Sequence, residues 1–177
     1  MQALQLFKTI TADKSNLLER LLRLLHDNNI HYCVIGTVAV SAYVEPLVGL
    51  DFDLIITSYQ LGRFEALLAS TFIVKRGPRS IEITAADSRL RANVYTESRY
   101  AEFVDRAQVR NVFDLNLPVA QLEDVLRAQV WAYLDPSRKL TKRLSNLAEI
   151  ALLLEKYPKL RPAVPPAILT RLDMFGA

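Results

Sequence analysis

The segment Asp51-Phe52-Asp53-Leu54-Ile55-Ile56-Thr57 begins with two carboxylates and then turns wholly apolar. Such a run suits a strand covered on both faces, so the fold must sandwich it inside a sheet. Alternation along a strand puts Asp51 and Asp53 on the same face, with Cα atoms about 6.5–7 Å apart. Magnesium takes oxygen ligands and bridges carboxylates to substrate phosphates, so two carboxylates at one strand end can hold one or two such ions against a triphosphate. An Asp-x-Asp alone is a weak motif, and its plain alternative is a solvated strand entry.

The surroundings of that strand narrow the choice. Ile30 to Ile35 reads as a short buried strand ending at Gly36, with a helix from Thr37 to about Tyr43 closed before Pro46. A Gly-Thr turn between strand and helix lets backbone N–H groups approach phosphate, and the helix N-terminus adds positive potential. Ahead of it, Leu17, Leu18, Leu21, Leu22, Leu24 and Leu25 make an apolar helical stripe over about Lys14–Asn28, with Asp13 or Ser15 available as N-cap. After it come a helix over about Gln60–Ala69 and strands at Thr71–Lys75, Ser80–Thr84 and Leu90–Thr96. Gly77-Pro78 and Asp87-Ser88 turn the chain between them. Close spacing predicts an antiparallel part of the same sheet.

A short helix near Arg99–Arg106 and a β-like stretch around Val109–Leu117 follow. From Gln121 the pattern is helical: Leu122–Tyr133, Thr141–Lys156 and Pro166–Leu172, broken at Asp135-Pro136 and Pro158. The order predicts an α+β fold, a mixed β-sheet flanked by helices with a C-terminal helical tail. The expected division is residues 1–118 as an α/β core and 119–177 as a helical region packed on it.

Bulk properties exclude some classes. With 51% hydrophobic residues, a 177-residue chain can bury a sizeable core. A net charge of +3 is compatible with an anionic ligand but too weak to indicate nucleic acid alone. Cys33 is the single cysteine and lies in an apolar run, where it reads as a buried hydrophobe. With only His26 and His31 beside it, typical zinc ligands cannot be assembled. Met1 to Ile10 lacks a signal-peptide layout, and no apolar stretch approaches bilayer length, so the expected location is cytoplasmic with no membrane partner.

Taken together, Tyr32-Cys33-Val34-Ile35-Gly36-Thr37-Val38-Ala39-Val40-Ser41-Ala42-Tyr43 followed by Leu50-Asp51-Phe52-Asp53-Leu54-Ile55-Ile56 resembles the core motif of the nucleotidyltransferase superfamily. The likeness is to small bacterial nucleotidyltransferase-like proteins, a group with the DNA polymerase beta-like fold related to toxin–antitoxin and abortive-infection proteins. Leu122-Glu123-Asp124-Val125-Leu126, Val130-Trp131-Ala132-Tyr133, Asp135-Pro136-Ser137-Arg138, Lys142-Arg143 and Leu147-Ala148-Glu149-Ile150 resemble its helical tail. The resemblance implies transfer of a nucleoside monophosphate from a nucleoside triphosphate to an acceptor hydroxyl, the acceptor being a protein, an RNA or a small molecule. Asp51 and Asp53 would then be the catalytic metal ligands, for Mg2+ or Mn2+. Gly36, Thr37, Ser41, Lys142 and Arg143 would form the nucleotide-binding set.

The pattern departs from the superfamily in three respects that together bear on turnover: Thr37 stands where Gly or Ser is usual, Ser145 and Asn146 stand where related sequences often carry Lys-Asp, and a carboxylate is missing. Members usually carry a third carboxylate on a neighbouring strand, and the best-aligned residue here is Asn93, an amide that cannot take a proton. Glu82 on the preceding strand, Asp87 in the turn and Glu97 are the candidate substitutes, none of them at the aligned position. An alternative is therefore a catalytically degenerate domain that binds nucleotide, or a partner chain through the helical tail, as in toxin–antitoxin pairs. Arg138, Lys139, Lys142 and Arg143 would share a helix face, read either as a triphosphate clamp or as a solvated face. Trp131 reads as core, and Tyr95, Arg99 and Tyr100 as packing or as walls of a nucleotide pocket.

Overall fold

The computed structural model describes residues 2–176. In chain order its elements are α1 (Gln2–Ile10), α2 (Leu17–Asp27), β1 (Tyr32–Ile35), α3 (Gly36–Val40), β2 (Asp51–Ile56), α4 (Leu61–Leu68), β3 (Ile73–Arg76), β4 (Ser80–Thr84), β5 (Arg91–Tyr95), β6 (Gln108–Val112), β7 (Leu115–Val119), α5 (Leu122–Leu134), α6 (Leu140–Lys156) and α7 (Pro166–Asp173). Short 3₁₀ segments sit at Ser58–Gln60, Ser98–Phe103 and Pro158–Ala163. The strands form one seven-stranded mixed sheet in the order β3-β4-β5-β2-β1-β7-β6.

The apolar run after Asp53 explains its place at the centre. β2 lies antiparallel to β1 and parallel to β5. Leu54, Ile55 and Ile56 are buried there, as a strand flanked by neighbours and covered on both faces requires. Register then decides what stands beside the carboxylates. Asp53 pairs with Ile35 on one side and Asn93 on the other, and Asn93 pairs with Glu82 on β4. β3, β4 and β5 are the antiparallel part expected from their spacing.

Two features differ from the sequence reading. The stretch around Val109–Leu117 is two strands, β6 and β7, turning at Phe113 and Asp114, which have φ of +52° and +63°. This is the left-handed pair that a two-residue hairpin needs, supplied here without the usual Asn-Gly signal. Phe113 is held by stacking on Phe7 of α1 at 4.9 Å between ring centroids. The same contact explains α1, an element the sequence reading left out: Phe7 is buried, and Ala3 N–H donates to Asp114 Oδ2 at 3.0 Å.

Helix boundaries also shift. α2 begins at Leu17 rather than Lys14, because Asp13 caps it from outside: its carboxylate accepts from the N–H groups of Leu17 (2.8 Å) and Leu18 (3.1 Å). α6 begins at Leu140, so Arg138 and Lys139 precede the helix instead of sharing its face with Lys142 and Arg143. The tail is tied to the core by two tyrosines. Tyr43 hydroxyl donates to the Ala120 carbonyl at 2.8 Å, and Tyr157 hydroxyl donates to the Tyr43 carbonyl at 2.9 Å. Cys33 is buried and its thiol pKa is pushed up by that burial. No helix among the described residues is long and apolar enough to cross a membrane.

Candidate active site

The C-terminal end of β1 and the N-terminal end of β2 meet at one end of the sheet, because the two strands are antiparallel. That places the Gly36-Thr37 turn directly against Asp53. Gly36 has φ of +69°, and a Cβ built there would overlap Asp53 Oδ2 and lie 3.1 Å from the Asp53 Cβ. Only glycine fits that approach, on both conformational and steric grounds.

The two carboxylates have different environments. Asp51 is flanked by cations: Lys142 Nζ on α6 contacts its Oδ2 at 2.5 Å, and Arg91 on β5 contacts its Oδ1 at 2.7 Å. Asp53 lies deeper. Its Oδ1 accepts from the Asn93 amide at 2.9 Å, and Oδ2 faces Gly36. Burial pushes the Asp53 pKa up to about 6; the Asn93 hydrogen bond opposes this, and the negative charge of Asp51 adds to it.

Over this strand end lies a cavity of about 180 Å³. Gly36, Thr37, Asp51 and Asp53 form its floor, while Gln129 of α5 with Lys142, Asn146 and Glu149 of α6 form its helical wall. Tyr95, Tyr100, Ala132 and Arg138 belong both to it and to an adjoining lobe that adds Arg79, Glu97, Arg99 and Asp135. Two ion pairs stand in that lobe: Arg79 with Asp135 at 2.8 Å, and Arg99 with Glu97 at 3.1 Å. Arg99 also lies over the rings of Tyr100 and Trp131, and Trp131 stacks on Phe103, which makes it packing as expected.

The fold thus brings Asp51, Asp53, Gly36, Thr37 and Lys142 together. It does not bring in Ser41 or Arg143. Ser41 Oγ contacts the Thr37 and Leu47 carbonyls and accepts from Leu47 N–H at 2.9 Å, so it braces the loop that leads to β2. Arg143 donates from Nε to the Tyr133 carbonyl at 2.7 Å and lies over the Tyr133 ring, joining α6 to the end of α5. α3 has only five residues, so the Gly36-Thr37 turn, rather than a long helix dipole, is what remains for an anion there.

The three carboxylates weighed as substitutes at Asn93 stay outside the main cavity. Glu82 is in register with Asn93 on the strand beyond it, Asp87 sits in an exposed turn, and Glu97 lines the adjoining lobe. The further acidic residue that lines the cavity beside the two aspartates is Glu149, from the tail. Its Oε1 accepts from Thr37 Oγ1 at 2.7 Å, a contact across 112 residues of sequence. The one sequence signal for it was a polar set at Lys142, Ser145, Asn146 and Glu149, the i, i+3, i+4, i+7 spacing of a single helix face.

No protein-family model matches the chain, and no curated protein matches its sequence. Solved structures do match. The solution structure of the antibiotic-resistance factor ANT(2'')-Ia is similar with a TM-score of 0.60 at 14% identity, over 94% of this chain and 96% of that one. An antigenic nucleotidyltransferase-like protein from Paracoccidioides brasiliensis gives 0.54 at 15% identity, over 96% and 90%. The lincosamide antibiotic adenylyltransferase LnuA, bound to lincomycin, gives 0.52 at 12% identity, over 77% and 95%. The chain therefore has a nucleotidyltransferase-like fold.

Proposed function

We propose that this protein transfers a nucleoside monophosphate from a nucleoside triphosphate to an acceptor hydroxyl, with Asp51 and Asp53 at the centre of the site. The observation that carries this reading is the pair of carboxylates on one face of the central strand, closed on one side by Gly36 and faced by Lys142 and Arg138. Acid and base charges converging on one cleft suit a ligand that is itself a cation–polyanion pair, as a metal–triphosphate is.

The residues fit a divalent ion, magnesium or manganese. The Lys142 ammonium already stands against Asp51, which marks the place where positive charge is favoured. Asp51 and Asp53 would hold the ion, with the remaining oxygens drawn from the triphosphate and water, as is usual for magnesium. When bound, it supplies charge neutralisation of the phosphates. The chain's own groups do the positioning. Lys142, on moving from Asp51 to the triphosphate, and Arg138 would anchor its negative charge, while Gly36 leaves the backbone open to its approach. The share of this work that comes from orientation and electrostatics is large in phosphoryl chemistry of any kind.

A second reading has one specific observation in its favour. Asn93, not a carboxylate, stands in register beside Asp53 and donates to it. The same fold would then bind nucleotide without turnover. Isothermal titration of ATP, GTP, CTP and UTP with magnesium, on wild type and on the Asp51→Asn/Asp53→Asn variant, tests both readings. Magnesium-dependent binding lost in the variant supports a nucleotide site, and pyrophosphate release then separates transfer from binding. Absence of binding by folded wild type overturns both.

A further inference from the structure

Glu149 is an expensive residue where it stands. It is 7% exposed on α6 between Leu147 and Ile150, both buried. Burying a carboxylate costs several kcal/mol unless it is paired. Yet Glu149 makes no ion pair among the described residues: Oε1 accepts from the Thr37 hydroxyl, and Oε2 is buried with no hydrogen-bond partner. A glutamine could keep the Thr37 contact without the charge, so stability alone does not account for glutamate here. The side chain belongs to the wall of the cavity whose floor is Asp51 and Asp53. On the strand face beside Asp53, where a third carboxylate would stand, there is Asn93.

We propose that Glu149 is the group that receives the proton of the acceptor hydroxyl, an assignment that rests on the transfer reading above. In the step, the acceptor oxygen forms a bond to the α-phosphorus. The bond from that phosphorus to the oxygen bridging to the β-phosphate breaks, and its electron pair leaves with pyrophosphate. The hydroxyl proton passes to the Glu149 carboxylate and from there to water, so that acceptor and triphosphate become nucleotidylated acceptor and pyrophosphate. Thr37 holds the receiving carboxylate in place from α3, and α6 brings its residue into the lining of the same cavity.

The electrostatics agree with this role. Burial raises the Glu149 pKa to about 7, the Thr37 hydrogen bond opposes the rise, and the negative charge of Asp53 adds to it. Lys142 on its own helix and Arg138 in the preceding turn pull the other way. A proton acceptor works best when its pKa lies near the working pH.

The test compares wild type, Glu149→Gln, Glu149→Asp and the outside control Glu82→Gln. Two quantities are measured for each: binding of α,β-methylene-ATP with magnesium, and pyrophosphate release from ATP with water, glycerol, tobramycin, lincomycin or tRNA as acceptor. The expected result is Glu149→Gln binding within about twofold of wild type while release falls by roughly 10²-fold or more. Glu149→Asp should recover part of the rate, and the rising limb of the wild-type pH–rate profile should vanish in Glu149→Gln. Release by Glu149→Gln within threefold of wild type would overturn the assignment and leave the transfer reading standing. A parallel loss of binding and rate would also overturn it, since that is the signature of a structural residue. Wild type that binds nucleotide but releases no pyrophosphate with any acceptor overturns the assignment together with transfer.

Discussion

The Cα of Gly36 faces the carboxylate of Asp53 so closely that a side chain on one would displace the other. The two positions are coupled: the glycine permits a turn at φ of +69°, and the same turn leaves room for Oδ2. Gly36→Ala should therefore act twice. The left-handed backbone costs about 1–2 kcal/mol for a residue with a Cβ, and Asp53 must move as well. We expect a fall in Tm of roughly 3–8 °C and a loss of nucleotide affinity of at least about tenfold. Unchanged melting and binding would show that the turn is slack.

Lys142 should behave in the opposite way. Its ion pair with Asp51 joins a half-exposed ammonium to a carboxylate that is 22% exposed, and such pairs add little to stability. Lys142→Met should leave Tm within about 2 °C of wild type. Triphosphate affinity should fall roughly tenfold, the worth of one charge-assisted contact. Thermal melting and titration on the same sample check both.

Arg143 and Ser41 separate architecture from chemistry. Arg143→Ala removes the Nε bond to the Tyr133 carbonyl and the cover over its ring. Its expected cost is about 1–2 kcal/mol, read as a lower denaturation midpoint. Ser41→Ala should loosen the loop before β2 by a similar amount. Nucleotide dissociation constants should be unchanged in both folded variants, and a tenfold rise in either would return that residue to the binding set.

Metal and nucleotide should bind together. Asp51 is already neutralised by Lys142 and Arg91, which lowers its attraction for a free ion. Among the described residues no three His, Cys, Asp or Glu side chains converge as a cation cage. Millimolar magnesium alone should leave Tm unchanged, ATP with magnesium should raise it, and adding EDTA to the ternary mixture should reverse the rise. A shift with magnesium alone would mean that the carboxylate pair is preformed for the ion.

The pH dependence of stability follows from the two raised carboxyl groups. Asp53 is pushed up to about 6 and Glu149 to about 7, each chiefly by burial. Folded, both hold a proton more tightly than they do unfolded, where carboxyl groups titrate near about 4. Their stabilising contribution is thus complete below about pH 4 and is lost as pH rises through 6 to 7. In metal-free buffer, the drop in Tm from pH 5 to pH 8 should be roughly 6–15 °C smaller in Asp53→Asn/Glu149→Gln than in wild type. Equal drops would show that neither group titrates differently on folding.

Much of the fold was legible because its signals are local. The strand from Asp51, the glycine turn before it, and the helices of the tail each follow from hydrophobic period and turn residues. α1 was not legible, since its one buried side chain is Phe7 and the partner ring lies more than a hundred positions away at Phe113. The β6–β7 turn was hidden for the same reason. Phe113 accepts a left-handed backbone because that ring contact holds it.

The candidate site divides along the same line. Period-2 alternation determined from sequence alone that Asp51 and Asp53 share a face, and the spacing of Gly36 from them marked the turn that now adjoins Asp53. The spacing of Lys142, Ser145, Asn146 and Glu149 fits one side of a helix, a face that the sequence reading did not single out, because a polar helix face has the same pattern whether water or a cavity lies over it. Only the packing of α6 against the core decided that this face looks onto the two aspartates. Local periodicity sets the direction in which a side chain leaves its own element, and the tertiary structure alone sets what it meets there.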